Sequence, residues 1–207
     1  MAGKDFTYDD YLSEAPQHTH EYLWPIVVPL LAKDDRILDA GCGNGAFVGH
    51  LHTTGYNACG IDLSESGIAQ AKHAYPDVDF RVLSVTDDLS HHFGTLFDTV
   101  VSLEVVEHLY DPNAYAKAIY NVLRPGGLFV VTTPFHGYLK NCVLSLTGRM
   151  DAHFTALWPG GHIKFWSRKT LTLLLEKAGF HVTEFHGAGR FPYLWKSMVL
   201  IAQKPSN

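Results

Sequence analysis

The sequence predicts an α/β protein built on one mostly parallel sheet with helices on both faces. Three observations carry that expectation. Residues 36 to 45, Arg-Ile-Leu-Asp-Ala-Gly-Cys-Gly-Asn-Gly, read as a buried strand running straight into a glycine-rich turn. A second apolar strand end, Cys59-Gly60-Ile61, closes on Asp62, seventeen residues past Gly45. From residue 36 onward, strand and helix signals alternate, as successive βαβ units require.

Taken in order, strands are expected near 36–40, 57–61, 79–83, 97–102 and 127–133, and helices near 44–54, 65–74 and 112–123. Gly41, Gly43 and Gly45 let the backbone turn sharply and leave no Cβ in the way of a ligand. Because the turn opens a helix, it also offers unpaired N–H groups to a polar ligand. An acid at the tip of the second strand is where a βαβ nucleotide site holds ribose hydroxyls. Asp62 would serve equally as a cap on the helix starting near Ser64. The third helix is expected to stop at Arg124-Pro125-Gly126-Gly127, because proline cannot continue it and the glycines supply a turn. Farther on, a helix near 168–178 leads to Gly179 as its C-cap, followed by strands near 180–186 and 197–203.

A chain of 207 residues is a comfortable single domain, and 46% hydrophobic content is ordinary for a globular protein. The longest apolar stretch, Tyr22 to Ala32, is interrupted by Pro25 and Pro29 and is too short to span a membrane. The first residues, Met-Ala-Gly-Lys-Asp, lack the regions of a secretory signal. Cys42, Cys59 and Cys142 have no metal-binding spacing and cannot all pair in one chain, so reduced thiols in a cytoplasmic setting are expected. Net charge is −5, but residues 1–133 carry −11 and residues 134–207 carry +6. Such asymmetry marks an anionic partner's side only if the halves do not interleave in space, and the positive charges are scattered.

The glycine turn is not the Gly-x-Gly-x-x-Gly of dinucleotide dehydrogenases. With Asp39 ahead of the first glycine, Asp39-Ala-Gly-Cys-Gly-Asn-Gly45 resembles motif I of class I S-adenosylmethionine (SAM)-dependent methyltransferases. The resemblance continues through Asp62-Leu63-Ser64, Leu103-Glu104-Val105-Val106-Glu107-His108 and Leu123-Arg124-Pro125-Gly126-Gly127, in the family's order. It implies a seven-stranded Rossmann-like sheet with an antiparallel last strand, forming one methyltransferase domain over 1–207 with SAM as cofactor. Asp39, Gly41, Cys42, Gly43 and Gly45 would then face the methionine part of SAM. Asp62 would hold the ribose, Leu63 would lie against the adenine, and Ser84, Val85 and Leu103 would complete the site. Family members often carry an acid at the Val85 position; here Asp87 falls two places later.

If a helical turn starts after the fourth strand, Glu104, Glu107 and His108 stand at i, i+3 and i+4 and share one face. Two carboxylates and an imidazole suit a divalent cation, Mg²⁺ or Mn²⁺ before Zn²⁺, with His162 of Gly-Gly-His-Ile-Lys-Phe-Trp as fourth ligand. This Glu-x-x-Glu-His resembles the metal site of small-RNA 3′-terminal 2′-O-methyltransferases and a segment of UbiG-like O-methyltransferases, which act on catechol-bearing quinone precursors. Without a metal, the same groups would line the acceptor pocket, with His108 as general base.

Two segments fall outside the βα rhythm. Residues 1–33, rich in aromatics and His, are expected to form a helical cap over the cofactor site. Residues 134–166 form an insertion after the fifth strand, where a long loop is usually functional and where ligands sit in an open sheet. Its Phe135, His136, Tyr138, His153, Phe154, Trp158, His162, Phe165 and Trp166 would stack a planar acceptor or build the loop's own small core. His136, straight after the strand end, is the added catalytic candidate, whereas Lys140, Arg149, Lys164 and Arg168 are expected to be solvated. The function expected is methylation of an oxygen on a small aromatic or quinone-like acceptor. A terminal-ribose RNA methyltransferase is disfavoured by an acidic chain without a basic stripe. A non-catalytic SAM-binding protein is disfavoured by the intact glycines and Asp62.

Overall fold

The computed structural model describes residues 19–154, 156–158 and 161–206. Seven strands form one sheet: β1 (Arg36–Ala40), β2 (Asn57–Asp62), β3 (Phe80–Val82), β4 (Phe97–Ser102), β5 (Leu123–Pro134), β6 (His181–Ala188) and β7 (Ser197–Gln203), in the order β3-β2-β1-β4-β5-β7-β6. The first five pair in parallel, and β7 alone runs against its neighbours β5 and β6. The expected seven-stranded sheet with an antiparallel last strand is what forms.

Alternate residues of each central strand supply opposite cores. Leu38, Val100, Phe129, Val131, Leu200 and Ala202 meet α5 (Pro112–Val122) and α8 (Arg168–Ala178) through Tyr115, Ile119, Leu171 and Leu175. Ile37, Val101, Val130, Val199 and Ile201 face the other way, toward Leu23 and Val27 of α1 (His20–Val27) and Phe47 and Leu51 of α2 (Ala46–Thr53). A third cluster joins α2 to α3 (Glu65–Ala74) through Val48, Ile68, Ala71 and Phe80. Chain continuity thus sends β1 to a helix on one face and β4 to a helix on the other. The carboxyl ends of these neighbouring strands therefore part, and a ligand crevice opens between them.

Three places carry local detail beyond the expected elements. The Arg-Pro-Gly-Gly run is not a free turn after α5: it is the irregular start of β5, with a register shift between Phe97–Leu123 and Thr99–Leu128. Gly126 still turns the chain at φ 77°, and Lys204 Nζ donates to the carbonyls of Tyr120 and Leu123 and so satisfies the helix end. The described part of the N-terminal segment, from Thr19, packs as a layer on the sheet and stacks Trp24 against His50 of α2. Residues 1–18, the rest of the expected cap, lie outside the described residues. A short α4 (Leu89–Phe93) follows β3, and the insertion carries α6 (Tyr138–Leu146) and α7 (Met150–Phe154).

Candidate functional site

The turn after β1 takes the shape its glycines allow. Gly41, Gly43 and Gly45 have φ of 95°, 55° and 76°. The N–H groups of Gly41 and Cys42 both donate to the Ile61 carbonyl (2.8 and 2.9 Å), which fastens the turn to the end of β2. A Cβ at Gly41 would lie 2.4 Å from Val105 Cγ2, so the turn is also packed against the segment after β4. The Cys42 side chain is buried against Gly60, where a Cβ would stand 2.7 Å from its sulfur, and burial pushes its thiol up. Only the backbone of Cys42 remains for a ligand.

Asp62 Oδ2 accepts the Gly43 N–H and Oδ1 accepts the Ser64 N–H, each at 2.8 Å. The helix cap on α3 is instead Ser64, whose hydroxyl accepts from Gly67 N–H. Asp39, 2% exposed, has an Oδ1 with no hydrogen-bond partner among the described residues. Burial, then the charge of Asp62, pushes its carboxyl up to about 8. Leu63 is half-buried beside Asp62. Past β3, Asp87 turns back to accept the Ser84 N–H at 2.9 Å, Ser84 Oγ meets Thr86 Oγ1 at 2.7 Å, and Val85 is buried. Asp87 therefore shapes this loop. The Leu103 side chain joins the core beside α1 and α2.

The segment after β4 does not form the helical turn that would align three ligands. Glu104 sits in the left-handed region at φ 56°, and Val106–His108 is a single 3-10 turn. A non-glycine residue there costs about 1–3 kcal/mol and persists only if its surroundings hold it. They do: Thr132 Oγ1 accepts the Glu104 N–H (3.0 Å) and donates to Oε1 (2.8 Å), while Ser197 Oγ donates to Oε2 (3.0 Å). Tyr22 of α1 lies 3.3 Å from Ser197 Oγ. Glu104 thus points toward β5 and β7 rather than sharing a face with the next acid.

Glu107 goes the other way. It is 1% exposed, its Oε2 accepts from Thr133 Oγ1 at 3.0 Å, and its Oε1 lies 4.0 Å from His108 Nε2. The Glu107 carbonyl receives the N–H groups of both Ile163 and Lys164, which brings His162 over His108 with ring centroids 5.0 Å apart. One ligand atom each from Glu107, His108 and His162 lies within 4.8 Å of the others. Three of the four expected ligands converge; Glu104 is outside the group.

A methyltransferase-domain family profile matches residues 8–184. A probable S-adenosylmethionine-dependent methyltransferase of Mycolicibacterium smegmatis is 34% identical over 178 residues, 82% of this chain and 62% of the relative. A ubiquinone biosynthesis O-methyltransferase of Dinoroseobacter shibae is 32% identical over 186 residues, 86% of this chain and 72% of that protein. The chain belongs to the class I SAM-dependent methyltransferases. A crystal structure of such a methyltransferase from Methanosarcina mazei, 24% identical, shares the fold with a TM-score of 0.67 over 88% of this chain and 98% of its own.

In a methyltransferase, the two acids at the ends of β1 and β2 fit what SAM presents. A cationic, hydroxyl-bearing ligand suits the unpartnered Asp39 oxygen and the Asp62 carboxylate, and the Cβ-free turn lets it approach the backbone. The groups that hold the acceptor side in shape were not legible beforehand: Thr132, Thr133, Ser197 and Tyr22 are single hydroxyls, three of them on strand ends. Lys140, expected in solvent, is 6% exposed and donates to the carbonyls of Phe135 (2.8 Å) and Lys196 (3.4 Å). Burial brings its ammonium down to about 8. Arg168 lies over the Phe185 ring at 4.8 Å. His136, 8% exposed, stands among the rings of His153, Phe154 and Phe165.

Asp39 gives a pH prediction. Its folded-state pKa lies above the ordinary 3.8, so the folded protein binds this proton more tightly than the unfolded chain. The stabilisation is complete below pH 3.8 and is lost as pH rises through about 8. Glu104, pushed by burial from 4.5 to about 7, acts in the same direction. Asp88 and Asp98 are lowered, so their effect falls below this window. His136, His153 and His162 are lowered by burial, so their contribution runs the other way and is complete once pH passes their ordinary 6.5. Without ligand, the urea midpoint is therefore expected to drop between pH 7 and pH 8, and Asp39→Asn to flatten the drop. An equal drop in the variant would assign it to other groups.

Proposed function

We propose that this methyltransferase methylates an oxygen of a small planar aromatic acceptor of the quinone-precursor type, beside a divalent cation held by Glu107, His108 and His162. The observation that carries the reading is the convergence of those three ligand atoms at the carboxyl end of β4, joined through Val105 to the turn that packs at Gly41. The name of the Dinoroseobacter shibae relative supports an oxygen acceptor of this kind. One carboxylate and two imidazoles are richer in nitrogen than the set read from sequence, which favours Mn²⁺ or a zinc-class ion over Mg²⁺. Such a cation would polarise the acceptor oxygen and lower the pKa of its hydroxyl.

The chain's own part is positioning. Thr133 holds the Glu107 carboxylate from β5, and the two backbone bonds to the Glu107 carbonyl hold His162. Burial lowers the His162 imidazole to about 4, so a bare ring nitrogen is available at neutral pH. The glycine turn and Asp62 would fix the donor on the other side of the crevice, in line with the acceptor oxygen.

Methyl transfer from labelled SAM to catechol, phenol and a short RNA, each with and without chelator, tests this. The expected result is label on catechol, lost with chelator and restored by Mn²⁺. Label in RNA alone would overturn the acceptor class, and transfer to catechol indifferent to chelator would remove the cation.

A further inference from the structure

His136 raises a question the reaction does not answer. The residue is 8% exposed and both ring nitrogens are buried, yet neither Nδ1 nor Nε2 has a hydrogen-bond partner among the described residues. Two buried polar atoms left unpaired are costly, and a position needing only bulk would be better filled by phenylalanine. The backbone fixes the ring in place: its N–H donates to the Trp166 carbonyl at 3.0 Å, closing the base of the insertion. Phe154 lies nearly parallel to the imidazole (13°, centroids 6.0 Å apart), and Phe165 stands edge-on at 5.1 Å. Phe165 is half exposed and stands between this cluster and solvent, so a molecule meeting the imidazole would have to turn that ring aside. His136 stands two residues past β5, whose Thr133 holds Glu107.

We propose that His136, Phe154 and Phe165 form the subsite that recognises the acceptor ring, taking an uncharged aromatic through a hydroxyl or carbonyl oxygen hydrogen-bonded to the imidazole. The inference deepens the oxygen-methylation reading and rests on it for the name of the acceptor. The chemistry of the box sets the class. Aromatic walls favour a flat apolar body. Burial, with Lys140, His153 and His162 nearby, keeps the imidazole uncharged by moving its pKa to about 3. An uncharged imidazole offers one N–H and one bare nitrogen, which suits an oxygen that donates or accepts.

The test uses the full chain with S-adenosylhomocysteine, ¹⁵N-labelled histidines, and two matched probes, phenol and toluene. Comparison with His136→Phe identifies the His136 ring signals. Phenol is expected to shift those signals and toluene to leave them in place, with phenol affinity falling about tenfold in His136→Phe. Phenol and toluene acting alike, or neither moving the His136 signals, would overturn the subsite. Catechol methylation separates the two readings. A rise in KM of about tenfold in His136→Phe with kcat little changed supports the subsite, and unchanged KM overturns it while oxygen methylation stands. Phenol bound at His136 with no catechol methylated would keep the subsite and sink the reaction proposed above.

Discussion

Gly41→Ala is expected to weaken binding of SAM or S-adenosylhomocysteine by about a hundredfold or more. Two independent costs meet at this residue. A side chain at φ 95° is strained by about 1–2 kcal/mol, and the new methyl would stand 2.4 Å from Val105 Cγ2. Overpacking of that kind adds about 1–3 kcal/mol. These costs reach the affinity because the turn must shift to relieve them, disturbing the bonds by which the Gly41 and Cys42 N–H groups hold it to the Ile61 carbonyl. Val105 is no freer, standing between the strained Glu104 and the 3-10 turn that carries Glu107. Calorimetric titration measures the loss, and adding Val105→Ala separates the two costs. The double variant should recover the packing share and retain the backbone share. Wild-type affinity in Gly41→Ala would mean that the turn does not bear on the cofactor.

Glu107→Gln is expected to lower turnover by about a hundred- to a thousandfold while leaving S-adenosylhomocysteine affinity unchanged. Glutamine keeps the volume and can still accept from Thr133 Oγ1, so the variant removes the charge and little else. Stability should hold or rise. Burial and the nearby Glu104 push the Glu107 carboxyl well above its ordinary 4.5, so at neutral pH the ionised form opposes folding, and the amide has no such burden. A variant that is more stable, binds cofactor and does not turn over would place Glu107 with the reacting groups. One that retains activity within threefold would make it a structural acid and leave the cation cluster without its carboxylate.

The βα rhythm was legible because buried parallel strands are short apolar runs, and glycines mark where the chain must turn. Asp39-to-Gly45 and Asp62 lie in sequence as they lie in space, at the ends of neighbouring strands. The acceptor side was read less well, for reasons specific to its residues. Helical spacing put Glu104, Glu107 and His108 on one face, but Thr132 and Ser197 pull Glu104 into a left-handed conformation. Those partners lie 28 and 93 residues away, and no local pattern announces a hydroxyl on a distant strand. Lys140 looked like a surface cation because composition does not reveal two carbonyls waiting for its ammonium. His162, proposed from its ligand chemistry, is brought beside His108 by backbone bonds that the sequence does not display.

The fastening of the insertion has an evolutionary consequence. Its two ends meet where His136 N–H joins the Trp166 carbonyl, the Trp166 indole reaches the Val106 carbonyl at 3.3 Å, and Ile163 and Lys164 hang from Glu107. These bonds fix the ends of the insertion beside the end of β4. A lineage could lengthen, shorten or rewrite α6 and α7 while the proposed cation ligands Glu107, His108 and His162 keep their places. The proposed determinants of selectivity and reactivity thus lie on separable parts of one small chain.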